Sequence, residues 1–249
     1  MPLKKSNASW IELDIVDSTN NYAMGLVHAG VAQHGTVVFA HHQNKGKGQR
    51  GKNWETEPGA NLSFSIILQP HFLLPTQMFQ LLAVTALSVR QELEKLIGDE
   101  AKIKWPNDLY WRDRKTGGIL IENSFKSNGE VVSIIGIGLN VNQLYFEKAP
   151  NATSLHFISG RNYNLDDLLL DFCTSIKQNL ILIEKESEKI WTNYHQKLFK
   201  KDTPMAFEDT KGKKFMGIIQ KVSYDGLLHI LLEDDSIAQF GIKEIKMLY

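Results

Sequence analysis

The chain has 249 residues, 43% of them hydrophobic and 22% charged, and its 28 Lys and Arg are matched by 28 Asp and Glu. That length holds one large domain, or one large and one small, and the zero net charge excludes a protein-wide field favouring nucleic acid or an anionic membrane. The one cysteine, Cys173, excludes an internal disulfide and a cysteine zinc cluster and fits a reducing cytoplasm; the opening "MPLKKSNASWIELDI" has no apolar h-region, and no stretch reaches the ~18–20 apolar residues of a membrane span.

In chain order, "SWIELDI" (9–15) reads as a strand, and "VDSTNNY" (16–22) as a strand end followed by a helix that Ser18, Thr19 or Asn20 would cap. Hydroxyls at a helix start also suit polar ligand groups. "TVVFA" is a second strand, and "KGKGQRGKNW" (45–54) then sets Lys45, Lys47, Arg50 and Lys52 among three glycines without an intervening acid. In "NLSFSIIL" (61–68) the period of two places Leu62, Phe64, Ile66 and Leu68 on one strand face. "TQMFQLLAVTALSVRQELEKLIG" (76–98) is helical, with Met78, Leu81, Leu82, Val89, Leu93 and Leu96 on one side and Gly98 as a stop.

"AKIKW", "GGILIE" and "VVSIIGIGLNVN" read as further strands. A second amphipathic helix runs from about Leu165 to Ile183, with Asn164 as N-cap and Asp166 and Asp167 suiting the positive end of its dipole. "SEKIWTNYHQKLF" continues the helical region after a break. Strands cluster instead of alternating strictly with helices, which predicts a mixed α+β sheet over a doubly wound one. After "KKDTP" the chain turns to short strands joined by Asp-Gly and Glu-Asp-Asp turns, a small β-barrel or meander with its boundary near residue 200.

Three stretches have chemistry to offer. In the basic glycine loop, backbone N–H groups and cations can cradle an anion; a solvated hairpin tip and a nucleic-acid contact are its other readings. In "KWPNDLYW" (104–111) Pro106 forces a turn that presents Asn107 and Asp108, either to a metal-bound phosphate and an amine or simply as an Asx turn capped by tryptophan. In "RKTGGILIE" (114–122) Lys115 precedes two glycines and can lie along a pocket floor toward a carboxylate or phosphate, or be merely exposed. "GIGLNVN" lacks the third glycine and following helix of a dinucleotide site. The eight histidines show no metal-ligand spacing, and neither a G-x-S-x-G elbow nor a Walker loop is present.

The order of these stretches carries more than any one of them. Asp17–Asn20, Gln43–Trp54, Gly59–Leu62, Lys104–Asp108, Lys115–Leu120 and Gly138–Asn142 together closely resemble the biotin–protein ligase family, over essentially the whole chain. The resemblance implies a mixed-sheet catalytic domain of the biotin–lipoate ligase, class II synthetase-like superfold over residues 1–200 and an SH3-like β-barrel over 201–249. It implies a two-step reaction: the carboxylate of biotin attacks ATP, with Mg²⁺ on the phosphates, to give biotinyl-5′-AMP, and a lysine of a biotin carboxyl carrier domain then takes the biotinyl group. By the same resemblance Lys115 bridges carboxylate and α-phosphate, Asp108 prepares the acceptor lysine and Arg50 supports catalysis. Ser18, Thr19, Asn20, Gln43, Lys47, Gly48, Gln49, Gly118 and Gly136 then surround biotin. Lys47, Arg50, Lys52, Trp54, Asn107 and Asn140 surround the nucleotide.

The family loop is richer in arginine; here Lys47, Gln49 and Lys52 take such positions, and a lysine offers a point charge in place of a bidentate fork. With Asp-Ser-Thr-Asn starting at residue 17, the resemblance is to the short form without an N-terminal DNA-binding domain. A cytoplasmic enzyme without nucleic-acid or membrane partners follows, and a homodimer is compatible with it. The competing readings are a lipoate or octanoate ligase or transferase, which the Lys-Trp-Pro-Asn-Asp motif and basic loop oppose, and a non-catalytic binding module.

Overall fold

Alternating and helical periods translate into seventeen elements in a computed structural model that describes residues 10–249 apart from 72, 75, 76, 127, 128 and 148, with the backbone alone described for Arg50. The leader reading of the first nine residues, the Ser9 end of the first strand and the Thr76 end of the long helix lie outside the described residues. The elements are β1 (Trp10–Val16), α1 (Thr19–His28), β2 (Val37–Gln43), β3 (Leu62–Leu68), α2 (Met78–Ile97), β4 (Ala101–Lys104), β5 (Asp108–Trp111), β6 (Arg114–Phe125) and β7 (Val131–Leu139). There follow α3 (Leu155–Ser159), α4 (Leu165–Ile183), α5 (Ser187–Gln196), β8 (Pro204–Asp209), β9 (Lys214–Val222), β10 (Leu228–Leu232), β11 (Ile237–Phe240) and β12 (Ile245–Leu248). Gly98 closes α2 at φ +83°, and the Asn164 side chain accepts from the backbone N–H groups of Asp166 and Asp167, both as the sequence predicts. Among the described residues no helix is long and apolar enough to cross a membrane.

Two compact units divide the chain, and they interleave in sequence where a single boundary near residue 200 was expected. One takes the chain up to Leu73 together with Arg114–Asp171; the other takes Leu74–Asp113 with Phe172–Tyr249.

In the first unit the strands lie in the order β1-β2-β3-β7-β6, with β1 parallel to β2 and every other neighbour antiparallel. This is the mixed α+β arrangement. β3 is buried on both faces, because a strand paired on both edges must also cover both its side-chain rows to stay dry. One row holds Leu62, Phe64, Ile66 and Leu68, as read from the sequence; the opposite row holds Ser63, Ser65 and Ile67. On that second face α1 packs through Ala23 onto Val38, Ile67, Val132 and Ile134. The helix covers only one end of the face. Its N-terminus stops above Ser65, whose register partners are Val38 and Gly136.

The second unit contains α2, the β4–β5 hairpin, α5 and an antiparallel sheet ordered β11-β10-β9-β8-β12. Asp225–Gly226 turns β9 into β10 with Gly226 at φ +93°, and Asp235 supplies φ +62° in the next turn. Among the described residues the strands pair in a linear order from β11 to β12, which fits the meander reading of this segment. β5, β8 and the short α3 were not anticipated from the sequence.

Arg90 is the most consequential buried charge in this unit. It is 1% exposed, its Nε donates to the Ala101 carbonyl at 2.9 Å, and its guanidinium pairs with Glu94 and Asp99. Hydrogen bonds donated by Lys197 first, and also by Arg90, hold the Asp99 carboxyl well below the usual carboxylate range. Arg90→Ala strands these partners and is expected to destabilise the fold by about 3 kcal/mol in urea titrations at neutral pH. Because a depressed carboxyl stabilises only while ionised, that difference should shrink as pH falls below 3.8 toward the lowered value.

Candidate active site

Where α1 stops, the sheet floor is almost bare. The register sets Gly118 beside Gly138, Leu120 beside Gly136, and these beside Ser63 and Ser65. The glycines are demanded by what lies above them. A Cβ on Gly136 would stand 2.2 Å from Asn20 Oδ1, and one on Gly138 would stand 2.4 Å from Trp54 Cε2. The α1 N-terminus and the indole therefore rest directly on β7 backbone.

Ser18 takes the N-cap position of α1 in extended conformation, yet its hydroxyl makes no capping bond. The Thr19 N–H is met instead by Gln43 Oε1 at 2.8 Å, from the end of β2. Ser65 Oγ lies 2.8 Å from Thr19 Oγ1 and 2.7 Å from Asn20 Oδ1, and Asn20 Nδ2 donates to Glu122 Oε2 at 2.8 Å and to the Leu120 carbonyl at 3.4 Å. Ser18, Thr19, Asn20 and Gln43 are all under 9% exposed, far below what these residue types show on a surface. Just outside the cluster, the Asn21 amide holds the Asp17 carboxyl below its ordinary value.

The basic glycine stretch forms a hairpin hung from β2. Trp54 N–H donates to the Gly46 carbonyl at 2.8 Å and Gly48 N–H to the Lys52 carbonyl at 2.7 Å, around a 3-10 turn over Gln49–Gly51. Its base is tight: a Cβ on Gly46 would lie 2.3 Å from the Trp54 carbonyl oxygen. Lys47 Nζ reaches Glu122 Oε1 at 3.3 Å, while Lys45 and Lys52 are exposed. The Arg50 side chain, assigned to catalysis from the resemblance, lies outside what the structure describes.

Lys115, at the start of β6, brings its Nζ to 5.7 Å from the centre of the Trp54 ring. Its backbone is fixed by a bridge to Ala152, with Lys115 N–H donating to Asn151 and Thr153 N–H donating back to Lys115, each at 2.8 Å. Asn140 braces the same point: its amide donates to the carbonyls of Thr153 at 3.1 Å and Lys115 at 3.4 Å. Thus Ser18, Thr19, Asn20, Gln43, Gly136 and Lys47 converge, and Trp54, Lys115 and Asn140 adjoin them.

Asn107 and Asp108 lie in the second unit, at the turn from β4 into β5. Asp108 pairs with Lys104 across the hairpin. Lys104 Nζ donates to Tyr249 Oη at 2.6 Å and to Tyr110 Oη at 3.3 Å, and burial raises the Tyr110 phenol above its ordinary value. Trp105 Nε1 donates to the Gly226 carbonyl at 3.0 Å.

Sequence reasoning missed Ser63, Ser65 and Glu122. Period-two reading of "NLSFSIIL" and "GGILIE" would have put the serines opposite the leucine row and Glu122 on the Gly118 row. Among the described residues Ser63 Oγ and Trp54 Nε1 are buried without a hydrogen-bond partner, so the floor has polar capacity to spare. Among the described residues no group of three acidic, histidine or cysteine side chains could hold a metal ion.

Residues 12–142 match the Biotin/lipoate A/B protein ligase family. The bifunctional ligase/repressor BirA of Escherichia coli is 30% identical over 90% of this chain and 69% of its own length. Matches to its Salmonella and Bacillus counterparts span about half or less of those proteins. A biotin–[acetyl-CoA-carboxylase] ligase of Mycobacterium tuberculosis is 26% identical over 90% of this chain and 84% of its own length. The Aquifex aeolicus biotin protein ligase, solved with biotin and ATP, superposes with a TM-score of 0.80 at 29% identity, covering 96% of this chain and 98% of that one.

Gly138→Ala should force Trp54 off the floor at a cost of about 1–3 kcal/mol. Amide hydrogen exchange across residues 44–54 is then expected to speed up roughly tenfold or more, with α2 unchanged.

Proposed function

The chain belongs to the Biotin/lipoate A/B protein ligase family, and we propose that its reaction is ATP-dependent attachment of biotin to a carrier-protein lysine, as a biotin–[acetyl-CoA-carboxylase] ligase. A biotin carboxylate oxygen attacks the α-phosphorus of ATP, pyrophosphate leaves, and biotinyl-5′-AMP remains. The acceptor lysine amine then attacks the activated carbonyl, an amide forms, and AMP leaves.

One observation carries the choice of biotin over lipoate or octanoate. The enclosed end of the site is polar, with buried Ser18, Thr19, Asn20, Gln43 and Ser63 around a glycine floor. A cyclic urea can satisfy such groups. A dithiolane or an alkyl chain would leave those of them without a protein partner, such as the Ser63 hydroxyl, unmet, at about 1–3 kcal/mol for each buried group.

The first step brings two anions together, so cations must offset their repulsion. Lys115 serves as the bridge between carboxylate and α-phosphate, and its position beside Trp54 supports that role. Lys47, Gly48, Gln49, Arg50 and Lys52 close over the adenylate and exclude water that would hydrolyse the mixed anhydride. Gly118 and Gly136 give the biotin head room, Trp54 and Asn140 border the nucleotide, and Asn107 positions phosphate. Asp108 orients the acceptor amine. Mg²⁺ arrives with the substrate as MgATP, held by the phosphates. Residues 1–200 act as the catalytic domain and 201–249 as an accessory domain, working in the cytoplasm on a carboxylase's biotinyl domain.

Incubation with biotin, MgATP and an apo biotinyl domain should give an avidin-reactive product; pyrophosphate exchange that depends on lipoate in place of biotin would overturn the assignment. Lys115→Ala should lower biotinyl-AMP formation by roughly 100-fold or more with the fold intact. Biotin plus ATP should slow hydrogen exchange across Lys45–Lys52.

A further inference from the structure

The short contacts around Asn20 admit one proton arrangement. Asn20 Nδ2 faces two acceptors, Glu122 Oε2 at 2.8 Å and the Leu120 carbonyl at 3.4 Å, which fixes the orientation of the amide. Asn20 Oδ1 consequently has no proton to give, and the 2.7 Å contact with Ser65 Oγ is filled by the serine hydroxyl. Ser65 has no second proton, so the 2.8 Å contact with Thr19 Oγ1 is filled by the threonine's. Thr19 Oγ1 is left with lone pairs only, and its 3.2 Å approach to Gln43 Oε1 carries no proton. Gln43 is oriented separately: its Oε1 accepts the Thr19 N–H at 2.8 Å, which leaves its NH₂ as the end without a hydrogen bond among the described residues.

We propose that Glu122 sets the hydrogen-bond polarity of the pocket. Acting through Asn20, Ser65 and Thr19, it leaves Thr19 Oγ1 an acceptor beside the separately oriented donor of Gln43, the complement of a ring with a carbonyl oxygen flanked by N–H. Glu122 is thus a positioning residue for substrate choice. A carboxylate suits the end of the relay because it only accepts, so nothing propagates a reversed sequence of donors. Its other oxygen takes Lys47 Nζ at 3.3 Å, which ties the base of the basic hairpin to the same anchor. The inference rests on the biotin reading, since the cyclic urea is the part of that substrate it recognises.

The test compares biotin with its guanidino analogue, 2-iminobiotin, whose ring offers N–H donors where biotin offers the carbonyl. Dissociation constants for both are measured by calorimetry for the wild-type protein, Ser65→Ala and Glu122→Gln, with thermal midpoints as a check on folding. Ser65→Ala breaks the relay without changing charge, and Glu122→Gln lets Asn20 reverse. Both variants are expected to weaken biotin roughly tenfold or more and to narrow the wild-type preference for biotin over the analogue. Equal weakening of both ligands, or an unchanged preference in either variant, would overturn the relay and assign these residues to packing alone. Failure of the wild-type protein to bind biotin would instead remove the functional reading beneath it.

Discussion

Two positions on β7 carry no side chain because there is nowhere to put one. The space a Cβ would take at Gly136 is held by the Asn20 amide, and at Gly138 by the Trp54 indole. A sheet face ordinarily fills with alternating side chains and packs some 10 Å from the next layer. Here the layer above comes down to backbone level at two points. The remainder of the site follows from that closeness, because the α1 N-terminus and the hairpin can share one floor only where the floor itself is thin.

The neutrality of the chain as a whole also acquires a local meaning. Lys45, Lys47, Arg50 and Lys52 belong to one hairpin stretch, and among the described side chains Glu122 on the floor answers Lys47. The remaining positive charge is concentrated on a tip with little apolar area of its own. Such a segment contributes little to folding free energy, so folding alone gives no reason for these residues where neither helix nor strand would favour them. Lys115 is the opposite case. It is fixed at its backbone from both sides, by Asn151 and Thr153, and by the Asn140 amide besides.

Much of this was legible in the residues because strands and helices write their own periods. β1, β3, β6, β7, α2 and α4 all announced themselves, and Asn164 and Gly98 marked their ends correctly. What could not be read was which rows face each other. Ser65 meets Gly136 only because β3 and β7 pair in one register, and a shift of either strand by one residue would put the two on opposite faces. Glu122 was hidden for the same reason, since its partners come from α1 and the hairpin, 102 and 75 residues away in sequence. β5 and β8 are too short to show a period, and Pro204 at the head of β8 reads as a breaker. The interleaved division of the chain has no sequence signature at all, because compactness depends on which distant segments return to touch.

The hairpin has two kinds of residue within ten positions. Its neck, Gly46 against the Trp54 carbonyl, tolerates no added atom, whereas from Gln49 to Lys52 the backbone closes on itself through Gly48 and Lys52 without relying on which charged side chain it carries. Geometry and charge are therefore separable inheritances in this loop. A lineage can trade arginine for lysine or glutamine at the crown while the neck that carries the crown stays untouched.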